Sequence, residues 1–432
     1  MSLSPSSQSQ VPTEDADLRS VLRNERFRRV WAAGILTSMM RWLDLLVMGV
    51  FTFELTDSAA RVALVLVARM LPRLFFGVAL GILADRFNRK HLWVNSITGL
   101  AVVSFSLGSL IAIGDVRYWQ LLVAVFATGM FWAAEFPVRR TLIADVVPDE
   151  AIGPAISVDW TTDALNRMIG PALGGGLLVT VGAEGAYLLM GVMFTAAVLV
   201  ARTLRYTPAP REAGSDASAL SYLFSGLNYA RRSRLLVGVL LVTVVFNVVN
   251  PPYQSMIPVI GKDILGADPL RVGLLSAAEG LGAVLAALWI ANRATTRSYS
   301  RIYYFGTGLF LVCALGFSQA ESYAVSAILL FIAGFGFSSF ATMQTTILVR
   351  AATPAMRGRV LGVLSLAIGA GPLGALQVGP LVSAFGEQTA LTVVVAEGLV
   401  ALFAVGMRWP MLHQPGTATA PMAVTEDAPR PR

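Results

Sequence analysis

Residues 38–48 read SMMRWLDLLVM, the centre of a run from Val30 to Phe53 in which Arg41 and Asp44 are the only charged residues. A run of about 20 apolar residues is enough to cross a bilayer core of about 30 Å, so this one reads as a membrane span. The rest of the chain agrees. Its 432 residues are 55% hydrophobic and 14% charged, against the roughly 25% charged of a soluble domain. Comparable runs recur at 30–53, 59–83, 92–114, 118–138, 154–182, 185–203, 235–260, 270–291, 301–320, 323–349, 360–385 and 388–408. The expected fold class is therefore an all-α integral membrane protein of twelve transmembrane helices.

The basic residues orient these spans. Of 33 Lys and Arg, 25 fall in the N-terminus, the even-to-odd loops and the C-terminal tail. By the excess of positive charge on cytoplasmic loops, both termini are expected in the cytoplasm. The net charge of +7 then meets an anionic leaflet and not nucleic acid. Residues 1–26 are polar and Ser-rich with no apolar core, and read as a cytoplasmic tail; 409–432 read as a second, disordered one. The long internal break, 204–234, divides the spans into an N-terminal bundle (27–203) and a C-terminal bundle (235–408). Its second part, ending in Arg231, Arg232 and Arg234, has the pattern of a basic amphipathic helix on the membrane surface.

Several chemistries are excluded. Cys313 is the single cysteine and His91 and His413 the two histidines, which leaves no intramolecular disulfide or thiol cluster, no metal site and no imidazole relay within the spans. Phosphate-loop and zinc-helix motifs are missing, and no cofactor or enzymatic activity is expected. Internal repetition accompanies the division into six and six. Gly170, Gly175 and Gly182 recur with the same spacing as Gly374, Gly379 and Gly386, and Ala84-Asp85-Arg86 is echoed by Ala291-Asn292-Arg293.

GILADRFNRK, Gly81 to Lys90, resembles the signature of the loop between helices two and three in the major facilitator superfamily. NRMIGPALGGGLL at 166–178 is similar to the helix-five motif of that superfamily's proton-coupled exporters, with Asn166 departing from the glycine of the fuller motif. ELTDSAARVALVLVARMLPRLFFG (54–77) and RGRVLGVLSLAIGAGPLGALQVGP (357–380) resemble the bacterial siderophore and macrolide exporter branch. The resemblance covers roughly residues 25–405. It implies two pseudo-symmetric six-helix bundles in a bacterial cytoplasmic membrane, a monomer, with Gly81, Asp85, Arg86, Arg89 and Lys90 forming a charged gate. In helix five, Gly170, Pro171, Gly174 and Gly175 would provide a bend and close packing.

Charges inside spans cost roughly 2.5 to 3.5 kcal/mol each on insertion scales, so they are expected to have partners or face a cavity. Arg41 and Asp44 lie three apart on one helical face. Arg69 and Arg73 are four apart, as are Asp163 and Arg167, and Glu135 and Arg139, with Arg140 beside it. The architecture implied by the resemblance lets Asp44 meet Arg69 or Arg167 across the cavity. Asp44, Asp163 and Glu279 are candidate proton-coupling acids, and fixed ion-pair locks are the alternative. Glu279 and Glu397 have no arginine within four residues and are expected to be protonated. NVVNPPYQS (247–255) interrupts the seventh span, so Asn247, Asn250, Tyr253 and Gln254 become candidate ligand contacts. Gln344, Phe131, Trp132, Phe136 and Phe246 are candidate walls. The expectation is a secondary transporter that moves one small organic molecule by alternating access, outward in exchange for protons. Uptake is the alternative within transport, and a non-transporting sensor or scaffold the alternative from another class.

Overall fold

The computed structural model describes residues 18–86, 88–148, 151–206, 219–353 and 356–414; the side chains of 18–20, 73–86, 136, 153, 219–223, 291 and 296 lie outside the described set. The helices are α1 (Leu18–Arg23), α2 (Glu25–Thr56), α3 (Ala59–Arg86), α4 (Arg89–Ile113), α5 (Tyr118–Val146), α6 (Ile152–Arg202) and α7 (Ala219–Arg231). They continue as α8 (Arg234–Asp263), α9 (Pro269–Arg293), α10 (Tyr299–Ser318), α11 (Tyr323–Ala351), α12 (Arg357–Ile368), α13 (Gly371–Phe385) and α14 (Glu387–Arg408). No strand occurs among the described residues. Ten stretches are long and apolar enough to cross a membrane. With α6 making two passages and α3 one more, the described residues make twelve.

Two glycines make the passage count work. At 51 residues, a straight α6 would run about 75 Å, more than twice the bilayer core. It folds back at Gly182, whose φ of 68° and ψ of −178° belong to a region open essentially only to glycine. Gly386, between α13 and α14, has φ 81° and ψ 169°, nearly the same conformation 204 residues later. The repeat extends to packing. Gly170 lies on Trp42 and Leu43 of α2, and Gly374 lies on Val248 of α8, so each glycine receives the first helix of its own half. These matched contacts establish two pseudo-symmetric six-helix bundles.

Part of the expected tails is structured. Asn24 caps α2, accepting from the backbone N–H of Arg26 and Phe27 at 3.0 and 3.2 Å, and its amide donates to the Val146 carbonyl at 3.0 Å. Val21 of α1 is buried with the first core. At the other end Leu412 is fully buried against Gly238. Segments 1–17, 207–218 and 415–432 lie outside the described residues.

One hydrophobic core is drawn from residues 21–204. A second comes from 230–412 and extends onto Phe53, Ala59, Val62 and Ala63 of the first half, and a third, small one joins Leu46 and Val50 to Ala267 and Val272. The halves therefore join at the end of the bundle away from the termini. There Pro258 of α8 sits over Gly49 of α2, and Leu270 of α9 over Gly175 of α6, while Lys262 of α8 pairs with Glu54 of α2. At the end bearing the termini, α5 and α11 are not packed together in the way α2 and α8 are. The conformation is closed on the face opposite the termini.

Candidate functional site between the halves

The charged residues of the first half satisfy one another mostly across helices, Glu135 with Arg139 on α5 being a pair along one helix. Arg41 does not pair with Asp44. Its guanidinium reaches Asp163 of α6 at 2.5 Å, where Ser38 also donates to Oδ1, and Asp44 instead receives Arg69 of α3 at 2.5 Å. A deeper cluster centres on Arg139, 2% exposed, which donates to Glu135 Oε1 at 3.1 Å and to Asp159. Trp93 and Thr37 also donate to Glu135 Oε1, at 3.1 and 3.3 Å. Arg140 lies 3.6 Å from Asp159 and stacks at 3.6 Å on Trp160. Three donors converge on Glu135 Oε1, which offsets part of its desolvation, whereas Glu135 Oε2 and Asp159 Oδ2 are buried without a hydrogen-bond partner and are held by charge alone.

Arg167 breaks the pattern. Spaced to meet Asp163 on its own helix or Asp44 across the cavity, it instead crosses to the other half and donates from Nη2 to Glu279 Oε1 of α9. The expectation that Glu279 is unpaired is thereby overturned, because its partner lies on a different helix. The two side chains are 8% and 5% exposed. The guanidinium also lies 3.3 Å from the ring centre of Phe337 on α11 and 5.2 Å from that of Trp42 on α2. The Tyr253 hydroxyl stands 3.5 Å from Glu279 Oε2. Helix periodicity did not reveal Phe337 or Trp42, since both come from helices remote in sequence.

The loop signature is only partly described. The side chains of Gly81, Asp85 and Arg86 lie outside the described residues, as do those of Arg73 and Phe136. Arg139 and Arg140 are engaged by Glu135 and Asp159 as above. Arg89 grips both oxygens of Asp145 at 3.0 and 2.8 Å, and the Tyr206 hydroxyl donates to the same carboxylate at 2.7 Å. Burial, followed by the hydrogen bond to Asp145, pushes the Tyr206 phenol above its ordinary range. Lys90 donates to the Arg202 carbonyl at 2.9 Å. The helix-five motif packs on two sides: Gly170 and Gly174 against α2, Gly175 and the Pro171 carbonyl against α9.

The proline break in α8 does not offer its carbonyls to a ligand. Pro251 and Pro252 free the carbonyls of Asn247 and Val248, but Gly371 and Gly374 of the neighbouring helix lie against them. Asn247 donates to the Thr243 carbonyl at 2.9 Å, and Gln344 to the Thr243 hydroxyl at 2.8 Å. Tyr253 is fully buried. Asn250 and Gln254 are half-buried, and Asn250 Oδ1 has no hydrogen-bond partner. Phe246 is a core residue, stacked on Phe340 at 3.7 Å between ring centres. Glu397 is not isolated either, accepting from Gln377 at 3.1 Å.

Residues 18–428 match the family of transmembrane secretion effectors. An uncharacterized MFS-type transporter, YfiS, of Bacillus subtilis (strain 168) is 27% identical over 362 residues, covering 81% of this chain and 85% of that protein. The multidrug efflux pump Tap of Mycobacterium tuberculosis (strain H37Rv) is 27% identical over 80% of this chain and 85% of its own. Macrolide efflux protein A of Streptococcus pyogenes is 21% identical over 59% of this chain and 64% of its own. Among solved structures, the nucleoside transporter NupG superposes with a TM-score of 0.68 at 14% identity, covering 89% of this chain and 98% of that one. An inward-facing bacterial homologue of the human lysosomal transporter Spinster gives 0.66 at 16%, covering 90% and 96%.

Proposed function

Since the chain belongs to the transmembrane secretion effector family of major facilitator transporters, we propose that it carries a small organic molecule outward across a bacterial cytoplasmic membrane in exchange for protons. It works as a monomer with both termini in the cytoplasm. Its two bundles rock about the interface, with 204–234 as the tether. Relatives named for macrolide and multidrug efflux support the direction. The charge pattern of the loops supports the orientation.

The observation that carries the coupling is the ion pair from Arg167 to Glu279. Alternating access moves one bundle against the other. Pairs inside a bundle, Asp44 with Arg69 and Asp163 with Arg41, travel with it and act as locks. The buried pair across the interface must break at every cycle. A carboxylate left in a low-dielectric interior without its counter-ion is costly, and a proton removes that cost. Of the three candidate acids, Glu279 thus ties protonation to which face is open. On the cytoplasmic face, Gly81, Asp85 and Arg86 act with Arg89 and Lys90 as the second gate.

Everted membrane vesicles and a radiolabelled macrolide test this. Accumulation in wild-type vesicles should collapse on adding a protonophore. Glu279→Gln should retain downhill exchange while losing accumulation. Accumulation that survives the protonophore, or that is intact in Glu279→Gln, would remove proton coupling at this site.

A further inference from the structure

We propose that Glu279, Phe337 and Tyr253 form a receptor for an organic cation, and that the Arg167 guanidinium fills it while the halves are closed on the face opposite the termini. This rests on the reading of Glu279 as the coupling acid.

The argument begins with what holds Arg167. Its guanidinium donates to Glu279 Oε1 and lies 3.3 Å from the Phe337 ring centre. A carboxylate beside an aromatic face is how proteins recognise a delocalised, weakly hydrated cation. With side chains 8% and 5% exposed, water contributes little to that recognition. Both groups belong to the C-terminal half, on α9 and α11, whereas Arg167 belongs to α6. Parting the halves therefore withdraws the cation from the carboxylate and the ring together.

What each side keeps then differs. Arg167 retains Trp42 at 5.2 Å and has Asp163 one turn earlier on its own helix, the spacing at which helical residues meet. Glu279 retains the Tyr253 hydroxyl, 3.5 Å from Oε2. Among the described residues Arg167 is its single ion-pair partner. The vacated receptor holds one negative charge against an aromatic wall, since Phe337 packs on Phe246 with ring centres 5.7 Å apart. A proton neutralises it, and so does a guanidinium, amidinium or protonated amine with an apolar body. Because both neutralise the same carboxylate, they exclude each other, and that exclusion is what exchange requires. Phe337 is half-buried, so its ring has area left for such a ligand.

Calorimetry on the purified, full-length protein tests the receptor with two planar probes of the same shape, phenylguanidinium and neutral phenylurea. Phenylguanidinium should bind at least about tenfold more tightly. Phe337→Ala should cut that preference roughly tenfold, the loss expected for one desolvated cation–π contact, and Phe337→Tyr should preserve it. Vacating the receptor gives a second readout. The thermal midpoint of Arg167→Ala should rise with ethylguanidinium and not with ethylurea. Equal binding of the two phenyl probes, or equal stabilisation of Arg167→Ala by the two ethyl compounds, overturns the proposal. If Glu279→Gln abolishes accumulation while the probes are not distinguished, the receptor is wrong and the coupling stands. If the probes are distinguished while accumulation ignores a protonophore, the coupling is wrong and the receptor stands.

Discussion

The two halves share a topology and differ in what fills them. Among the described residues the first buries Asp44, Glu135, Arg139, Asp159, Asp163 and Arg167, whereas Glu279 is the buried charged residue of the second. In place of ions the second half stacks Phe246, Phe310, Phe340, Tyr253 and Tyr303. Ion pairs closed within one half cost desolvation once, at folding, and nothing when that half moves as a body. A charge shared between halves must be re-solvated or neutralised at each movement. The difference teaches where to look for coupling: not where charges are most numerous, but where one crosses the boundary.

The comparison breaks first at Arg139. Arg139→Met leaves Glu135 without its buried counter-ion and Asp159 with Arg140 alone at 3.6 Å, which should cost about 3 to 5 kcal/mol. Purified protein should show a large fall in thermal midpoint. If Arg139→Met unfolds like the wild type, the first half is not held by its ions.

Much of the architecture was legible in the sequence. Apolar run length located the spans, because the bilayer sets that length, and the echo of Gly182 in Gly386 marked two turns of the same unusual backbone conformation. The pairing was legible only in part: Glu135 meets Arg139 at the spacing of four, and Asp44 meets Arg69, one of the two partners the resemblance allowed. Spacings of three and four suggested Arg41 with Asp44 and Asp163 with Arg167, yet such spacings describe one helix's surface and say nothing about its neighbours. Arg41 turns to α6, Asp44 to α3 and Arg167 to α9. Each finds a better-satisfied carboxylate or guanidinium on another helix, and which helix that is depends on packing that no local pattern encodes. Glu279 was misread for the same reason, and so were the carbonyls at Pro251 and Pro252, which glycines of another helix cover.

A smaller effect sharpens the aromatic side of the comparison. Phe246→Leu keeps an apolar residue but removes the stack on Phe340 and the contacts with Phe310 and Phe337. The loss should be about 1 to 2 kcal/mol, independent of salt because no charge is involved. A salt-dependent loss would contradict an aromatic origin. Smaller again is Tyr206→Phe, which deletes a hydroxyl donated to Asp145 and should cost about 1 kcal/mol. The raised Tyr206 phenol stays protonated through neutral pH. Its stabilisation should be whole below the ordinary tyrosine value of about 10 and vanish as pH rises through the higher folded value. Thermal midpoints of wild type and Tyr206→Phe should thus converge only in strong alkali. Convergence near neutrality would mean that the hydroxyl is not the donor.

The smallest expected effect lies at the boundary itself. Lys262 of α8 and Glu54 of α2 pair across the halves at the closed face, with side chains 22% and 41% exposed. An exposed pair of this kind contributes only about 0.2 to 1 kcal/mol. Its position makes that small energy visible, because the pair exists only when this face is closed and so biases the equilibrium between states without supporting either half. Lys262→Gln should raise the population open on this face by up to about fivefold, with little change in thermal midpoint. Salt should mimic the substitution, since at 1 M the screening length is about 3 Å. Cys313, the one native cysteine, is buried, so spin labels on an engineered cysteine pair in α2 and α8 can report the distance between these helix ends. A wild-type distribution unchanged between low and high salt would mean that closure of this face rests on the contacts of Gly49 with Pro258 and of Gly175 with Leu270, with no contribution from charge.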